Sequence, residues 1–194
     1  FIRKRGDNVI SQPIKGTIKR SQDKNKDKKL VDKLKNSNKD ISENIMTTDL
    51  VRNDLSIKAI KASVKVEELC QVYTFNTVHQ MITTISSKIS EKSHFTELLK
   101  SVFPMGSMTG VPKLKAMELI ELYETFRRGI FSGAVGYITP KGDFDFNVVI
   151  RTVLYNMKNK YLSVGVGSAI TTRSNAEEEY EECLVKIKPI LEVL

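Results

Sequence analysis

Apolar residues fall at roughly helical spacing between Lys28 and Leu55, where Leu30, Val31, Leu34, Ile41, Ile45, Leu50 and Val51 are separated by polar positions. This predicts a helix, interrupted around Asn36 to Asn38. From Ser63 to Ile89 the pattern turns to near alternation and is rich in β-branched residues, as at Val64, Val66, Val72, Tyr73, Phe75, Val78 and Met81. Two or three strands are expected there. Phe95 to Val102 predicts a short helix, then a loop from Pro104 to Gly110. Pro112 suits the first turn of a further helix reaching Phe126, with Thr109 as its expected cap.

Gly129 to Gly136 breaks the helical pattern, and β-rich runs follow at Ala134 to Thr139, Phe144 to Tyr155 and Tyr161 to Thr171, separated by turn residues such as Lys141, Gly142 and Asp143. An antiparallel meander is predicted. The last segment, Asn175 to Leu194, has a capping asparagine, acidic residues in its first turn and lysines later, as a helix dipole favours. Pro189 is expected to kink or end that helix. Without an internal repeat or regular strand–helix alternation, the fold class is α+β, with antiparallel sheets and surrounding helices.

With 194 residues, 40% of them hydrophobic, the chain can bury a core. No apolar run is long enough to span a bilayer, and the first residues lack a signal-peptide pattern, so a cytoplasmic protein is expected. Cys70 and Cys183 are not in a CxxC pair, and His79 and His94 are too few for a multi-histidine metal site. Any metal should therefore be a hard cation held by carboxylates. The net charge of +8 is concentrated in Lys19 to Lys39, which has no aromatic residues for base stacking. We read it as a lysine-rich solvated surface or mobile loop rather than a nucleic-acid site.

Several residues could carry chemistry. Lys15 lies between the rigid Pro13 and the flexible Gly16, outside any predicted helix. Glu179, Glu182 and Lys186 project from one face of the last helix, as a metal-binding cluster or as an ordinary salt-bridge ladder. The glycines at 106 and 110 let backbone N–H groups approach an anion, with Ser107 and Thr109 adding hydroxyls, although a plain helix-entry turn has the same pattern. Arg151 is expected at a strand end, where an arginine is usually a surface residue, although a guanidinium can clamp a carboxylate bidentately. Gly165 and Gly167 end a strand without the third glycine of a dinucleotide-binding turn. His79 reads on its own as a half-buried strand histidine.

These segments together resemble one family. Pro13-Ile14-Lys15-Gly16-Thr17, Ser42 through Leu55, Phe103 through Lys113, Arg128 through Tyr137, Ile150-Arg151-Thr152 and the Gly165 run occur in the order of the motifs of the chorismate-utilising enzymes. Met105 stands where many relatives have glycine, and Phe131 where tyrosine is usual. The resemblance implies two packed antiparallel sheets with the site between them. It also implies an upstream half of the same fold, making residues 1–194 a C-terminal portion that is inactive alone.

By the same resemblance, Glu43, Glu179 and Glu182 hold Mg²⁺, and Thr17, Ser107, Thr109, Phe131, Gly133, Arg151, Gly165, Gly167 and Lys186 surround chorismate. His79 lies near the departing hydroxyl. Lysine at position 15, where anthranilate-forming members carry alanine, points to amination at C4, toward folate. Lys15 would add at C2 as the C4 hydroxyl leaves, and ammonia from a glutamine amidotransferase subunit would then displace it. An amine attacks only when unprotonated, whereas an ordinary lysine is almost wholly charged at neutral pH. Anthranilate, isochorismate or salicylate formation are the alternatives within the family, and a non-catalytic interaction module using Lys19 to Lys39 is the alternative outside it.

Overall fold

The computed structural model describes residues 1–90, 93–172 and 174–194, which divide into two units. Residues 1–124 and 136–147 form the first, and residues 125–135 and 148–194 the second.

In the first unit, strand β5 (Val78–Lys88) is the organising element. One of its edges pairs antiparallel with β4 (Lys65–Thr74), and the other pairs in succession with β3 (Ile14–Lys19) and β2 (Asn8–Ser11). The sheet continues through β1 (Ile2–Arg5), β7 (Phe144–Val148) and β6 (Ala134–Ile138). Because side chains alternate along a strand, His79, Met81, Thr83, Ile85 and Ser87 share one face of β5, and all five are buried. Helix α2 (Asn38–Ser56) and helix α3 (Phe95–Val102) belong to the same unit, and Leu55, Leu98 and Val102 join Ile2, Val9, Ile85, Ile89 and Phe144 in its core.

The predicted interruption falls between helix α1 (Lys24–Lys35) and α2. Asp23 caps α1, its carboxylate accepting from the N–H groups of Asn25 and Lys26, and Ser37 caps α2. Much of the basic stretch is thus helical, which corrects the mobile-loop reading. Its lysines are exposed while Leu34 is buried and Leu30 and Val31 are half-buried, so the stretch is anchored through its apolar side chains. The two N-terminal strands β1 and β2 were not predicted, since each is only four residues long and β1 is mostly charged.

A second correction concerns the loop after α3. It contains a 3-10 turn at Gly106–Met108, and helix α4 spans Lys113–Tyr123. Thr109 does not cap that helix: its hydroxyl instead donates to the Met105 carbonyl at 3.1 Å, and Pro112 occupies the cap position.

The second unit contains a separate two-stranded sheet, β8 (Val153–Asn156) with β9 (Tyr161–Val164), and helix α5 (Ala176–Leu191). The predicted strand from Phe144 to Tyr155 is therefore two strands, and the meander is broken. The break lies at Arg151, whose φ of 50° is left-handed and incompatible with an extended ladder. Asn175 caps α5 as expected, accepting from the Glu178 N–H. The helix runs two residues past Pro189, so the proline does not end it.

Candidate active site

Lys15 sits at an irregularity that the local sequence creates. The β3–β5 register shifts between Ile14 and Thr17, which takes Lys15 and Gly16 out of the regular ladder. Gly16 has φ +90°, and a Cβ there would approach the Asp40 side chain of α2 at 3.0 Å, so this position requires glycine. The half-buried Lys15 makes no hydrogen bond or ion pair through its amine among the described residues. Thr17 is exposed on the same strand and accepts from Gln80 at 3.4 Å.

His79 is fully buried rather than half-buried. Its Nε2 lies 2.9 Å from Asp27 of α1, and its Nδ1 lies 2.9 Å from the hydroxyl of Thr74 on β4. Asp27 also accepts from the Ser21 N–H and from the Arg20 guanidinium. These bonds, the Ser21 N–H foremost, hold its carboxyl far below the usual carboxylate range. An ionised Asp27 only accepts, so Nε2 carries the proton that it donates there. Nδ1 is the nitrogen left to exchange a proton, and it faces Thr74.

The loop carrying Ser107 and Thr109 is fixed against α2. Met105 is buried, and a Cβ on Gly106 would meet Leu50 at 2.8 Å, so loop and helix lie closer than any side chain at 106 permits. Lys113, at the start of α4, reaches Asp54 at 2.6 Å with both side chains mostly out of water. Burial pushes the Asp54 carboxyl up, against the pull of the Lys113 ammonium. Ser107 and Thr109 are half-buried beside this anchor, and Glu43 lies half-buried on α2.

In the second unit the other predicted residues gather in smaller groups. The hydroxyl of Ser168 donates to Glu179, which is buried. Lys186 donates to the Gly167 carbonyl at 2.9 Å and pairs with Glu182 at 2.6 Å. A Cβ on Gly165 would run into the Phe131 ring at 2.4 Å, so these two positions are in direct contact. Gly133 donates its N–H to Ile130 and accepts from the Val149 N–H, each at 2.9 Å. Arg151 is exposed, and its guanidinium has no partner among the described residues, which leaves it available to an anion. It lies in the loop between β7 and β8, not at the strand end expected.

Comparison with known proteins decides the family. The model of the chorismate binding enzymes matches residues 1–192. The chain belongs to the chorismate-binding enzymes. Aminodeoxychorismate synthase component 1 of Salmonella typhimurium is 41% identical over 194 residues, covering all of this chain and 42% of that protein. Anthranilate synthase component 1 of Aquifex aeolicus is 34% identical over 186 residues, covering 96% of this chain and 37% of that protein. Among solved structures, anthranilate synthase component I from Streptococcus pneumoniae TIGR4 superposes with a TM-score of 0.84 at 30% identity, covering 96% of this chain and 40% of that one. The chain thus spans about two fifths of the length of such component 1 relatives.

Within this chorismate-binding chain, the donor chemistry of Glu43, Glu179 and Glu182 suits a hard cation, because all three offer carboxylate oxygens. Among the described residues, no group of three His, Cys, Asp or Glu side chains converges. Sequence reasoning missed Asp27, Asn44, Asp54, Thr83 and Lys113. Asn44 left a trace, being a polar residue spaced by helical turns from Val51 and Leu55 on the face that packs inward. The others form ties between residues far apart in the chain, which no local pattern announces.

Proposed function

We propose that the complete protein carrying these residues converts chorismate and ammonia to 4-amino-4-deoxychorismate, with Lys15 as the nucleophile. The observation that carries this reading is the lysine itself. It stands on a bulge, its amine is unengaged among the described residues, and the surrounding chain is 41% identical to an aminodeoxychorismate synthase component 1. The amine forms a bond to C2 as the C4–O bond breaks and the hydroxyl leaves with a proton. Ammonia then bonds to C4 as the Lys15 nitrogen departs.

Glu43, Glu179 and Glu182 would hold Mg²⁺, which neutralises a substrate carboxylate when bound. Arg151 clamps a carboxylate, and Ser107 adds a hydroxyl donor from a loop that Asp54 and Lys113 keep in place, while the Thr109 hydroxyl is spent on the Met105 carbonyl and holds the turn. The Asp27–His79–Thr74 chain has the polarity to move a proton through Thr74. The relatives' designation as a first component supports a partner subunit, and a glutamine amidotransferase supplying ammonia fits that place. Similarity to an anthranilate synthase at 34% identity makes anthranilate formation the second reading.

Mass spectrometry of the products from the complete protein with chorismate, Mg²⁺ and an ammonium salt tests the assignment. Aminodeoxychorismate is the expected product, and anthranilate would replace it with the second reading.

A further inference from the structure

The backbone of Lys15 is held by a side chain to which no role has yet been given. Where the β3–β5 register shifts, the Lys15 carbonyl loses its place in the ladder, and a polar group drawn out of water needs a substitute partner. Asn44 provides it. Its amide nitrogen donates to the Lys15 carbonyl at 3.4 Å and to the Met81 carbonyl of β5 at 3.2 Å. Its amide oxygen accepts from the Thr83 hydroxyl, and Thr83 in turn accepts from the Cys70 N–H of β4 at 3.0 Å. The Thr48 hydroxyl donates to the Asn44 carbonyl at 2.8 Å.

Asn44 is wholly buried, and its side chain joins both strands to α2. Two carbonyls on one side demand the amino group there, and a hydroxyl donor on the other fits the oxygen, so the amide has one orientation. Asp40, one turn earlier on α2, lies so near Gly16 that a Cβ there would come within 3.0 Å of its side chain. The two residues of the bulge are thereby held from the same helix, one by packing and one by hydrogen bonding. This goes beyond simple stability, because an aliphatic side chain would fill the space at position 44 while removing the donor that ties the Lys15 carbonyl to β5 and α2.

We infer that Asn44 is a positioning residue for Lys15: it fixes the bulged backbone and so the arc through which the amine can swing. The inference rests on the reading of Lys15 as nucleophile. A nucleophile displaced by about 1 Å loses on the order of 100-fold in rate while the remaining contacts still bind substrate. The role should therefore appear in kcat and spare ground-state binding.

The test compares wild type, Asn44→Leu and Thr83→Val in the complete protein, with chorismate, Mg²⁺ and ammonium. Folded fraction is followed by circular dichroism and Mg²⁺-dependent chorismate binding by calorimetry. In Asn44→Leu, kcat should fall about 10- to 100-fold while the chorismate Kd stays within about twofold. In Thr83→Val, which loosens the amide without removing it, kcat should fall several-fold. Folded Asn44→Leu with wild-type kcat, or a kcat that only tracks the folded fraction, would overturn the inference. If Asn44→Leu does not fold, Thr83→Val decides, and an unchanged kcat there overturns it. A wild type that makes no aminated product contradicts the proposed function instead, and is thereby distinguished from failure of the positioning role.

Discussion

The two units hold their candidate residues by different means. In the first, the ties join residues distant in sequence: Asn44 to Lys15 across 29 positions, His79 to Asp27 across 52, and Lys113 to Asp54 across 59. Most of these groups are buried or nearly so. In the second, the polar side-chain ties are short: Ser168 to Glu179 spans 11 positions, Lys186 to Gly167 spans 19, and Glu182 to Lys186 is a single helical turn. Long-range ties cost loop-closure entropy and form only when the whole unit folds, so they specify backbone position. Short ties form locally and constrain backbone position less. The difference matches the tasks proposed for each set, a fixed nucleophile on one hand and adjustable metal and carboxylate ligands on the other.

Lys113→Met should break this contrast most severely. It strands the buried Asp54 carboxylate and should destabilise the first unit by about 3 kcal/mol at neutral pH. The loss should shrink in acid. Burial raises the Asp54 pKa above its ordinary 3.8, so its favourable contribution is full below that value and disappears as pH rises through the raised one. Lys113 offsets that disappearance. Urea unfolding of the variant at several pH values checks both the size and the sign.

A smaller effect is expected at Asp27. Its folded-state pKa is depressed, so the stability it contributes is complete above the ordinary 3.8 and is lost as pH falls toward the depressed value. Arg20 and His79 are the charged or titratable side chains bonded to it. Hydrogen exchange should show α1 loosening in acid before the strands do. Asp27→Asn should loosen α1 already at neutral pH and remove that acid-dependent step.

Glu182→Ala sharpens the comparison from the other side. The exposed pair with Lys186 is worth about 0.5 kcal/mol or less, so the melting temperature should barely move. The Mg²⁺ dependence of chorismate binding should nevertheless disappear. Calorimetry with and without Mg²⁺ reads this, and unchanged Mg²⁺ dependence would return Glu182 to the role of a solvated surface residue.

The same distinction explains what was legible in the sequence. Helix α3 was predicted to the residue, the interruption between α1 and α2 was placed correctly, and the Glu182–Lys186 pair followed from helical spacing. Each depends on neighbours within a turn or two. The break around Arg151 was not visible, because Val148, Val149 and Ile150 read as strand while the ladder stops at Val148 and a left-handed residue follows before β8. Thr109 resembled a helix cap, yet its hydroxyl was taken by Met105 in a tighter turn. His79 alternated like any strand residue, and only folding brought Asp27 to its ring. Motif order revealed the family, whereas the supports of Lys15 came from tertiary structure.

The most direct test of Lys15 as nucleophile compares wild type and Lys15→Ala in the complete protein, measuring amination of chorismate and Mg²⁺-dependent chorismate binding on the same preparations. Amination should fall on the order of 1,000-fold or more in Lys15→Ala while the chorismate Kd changes little, since the metal ligands and Arg151 remain. Equal production of aminodeoxychorismate by the two proteins would contradict the assignment.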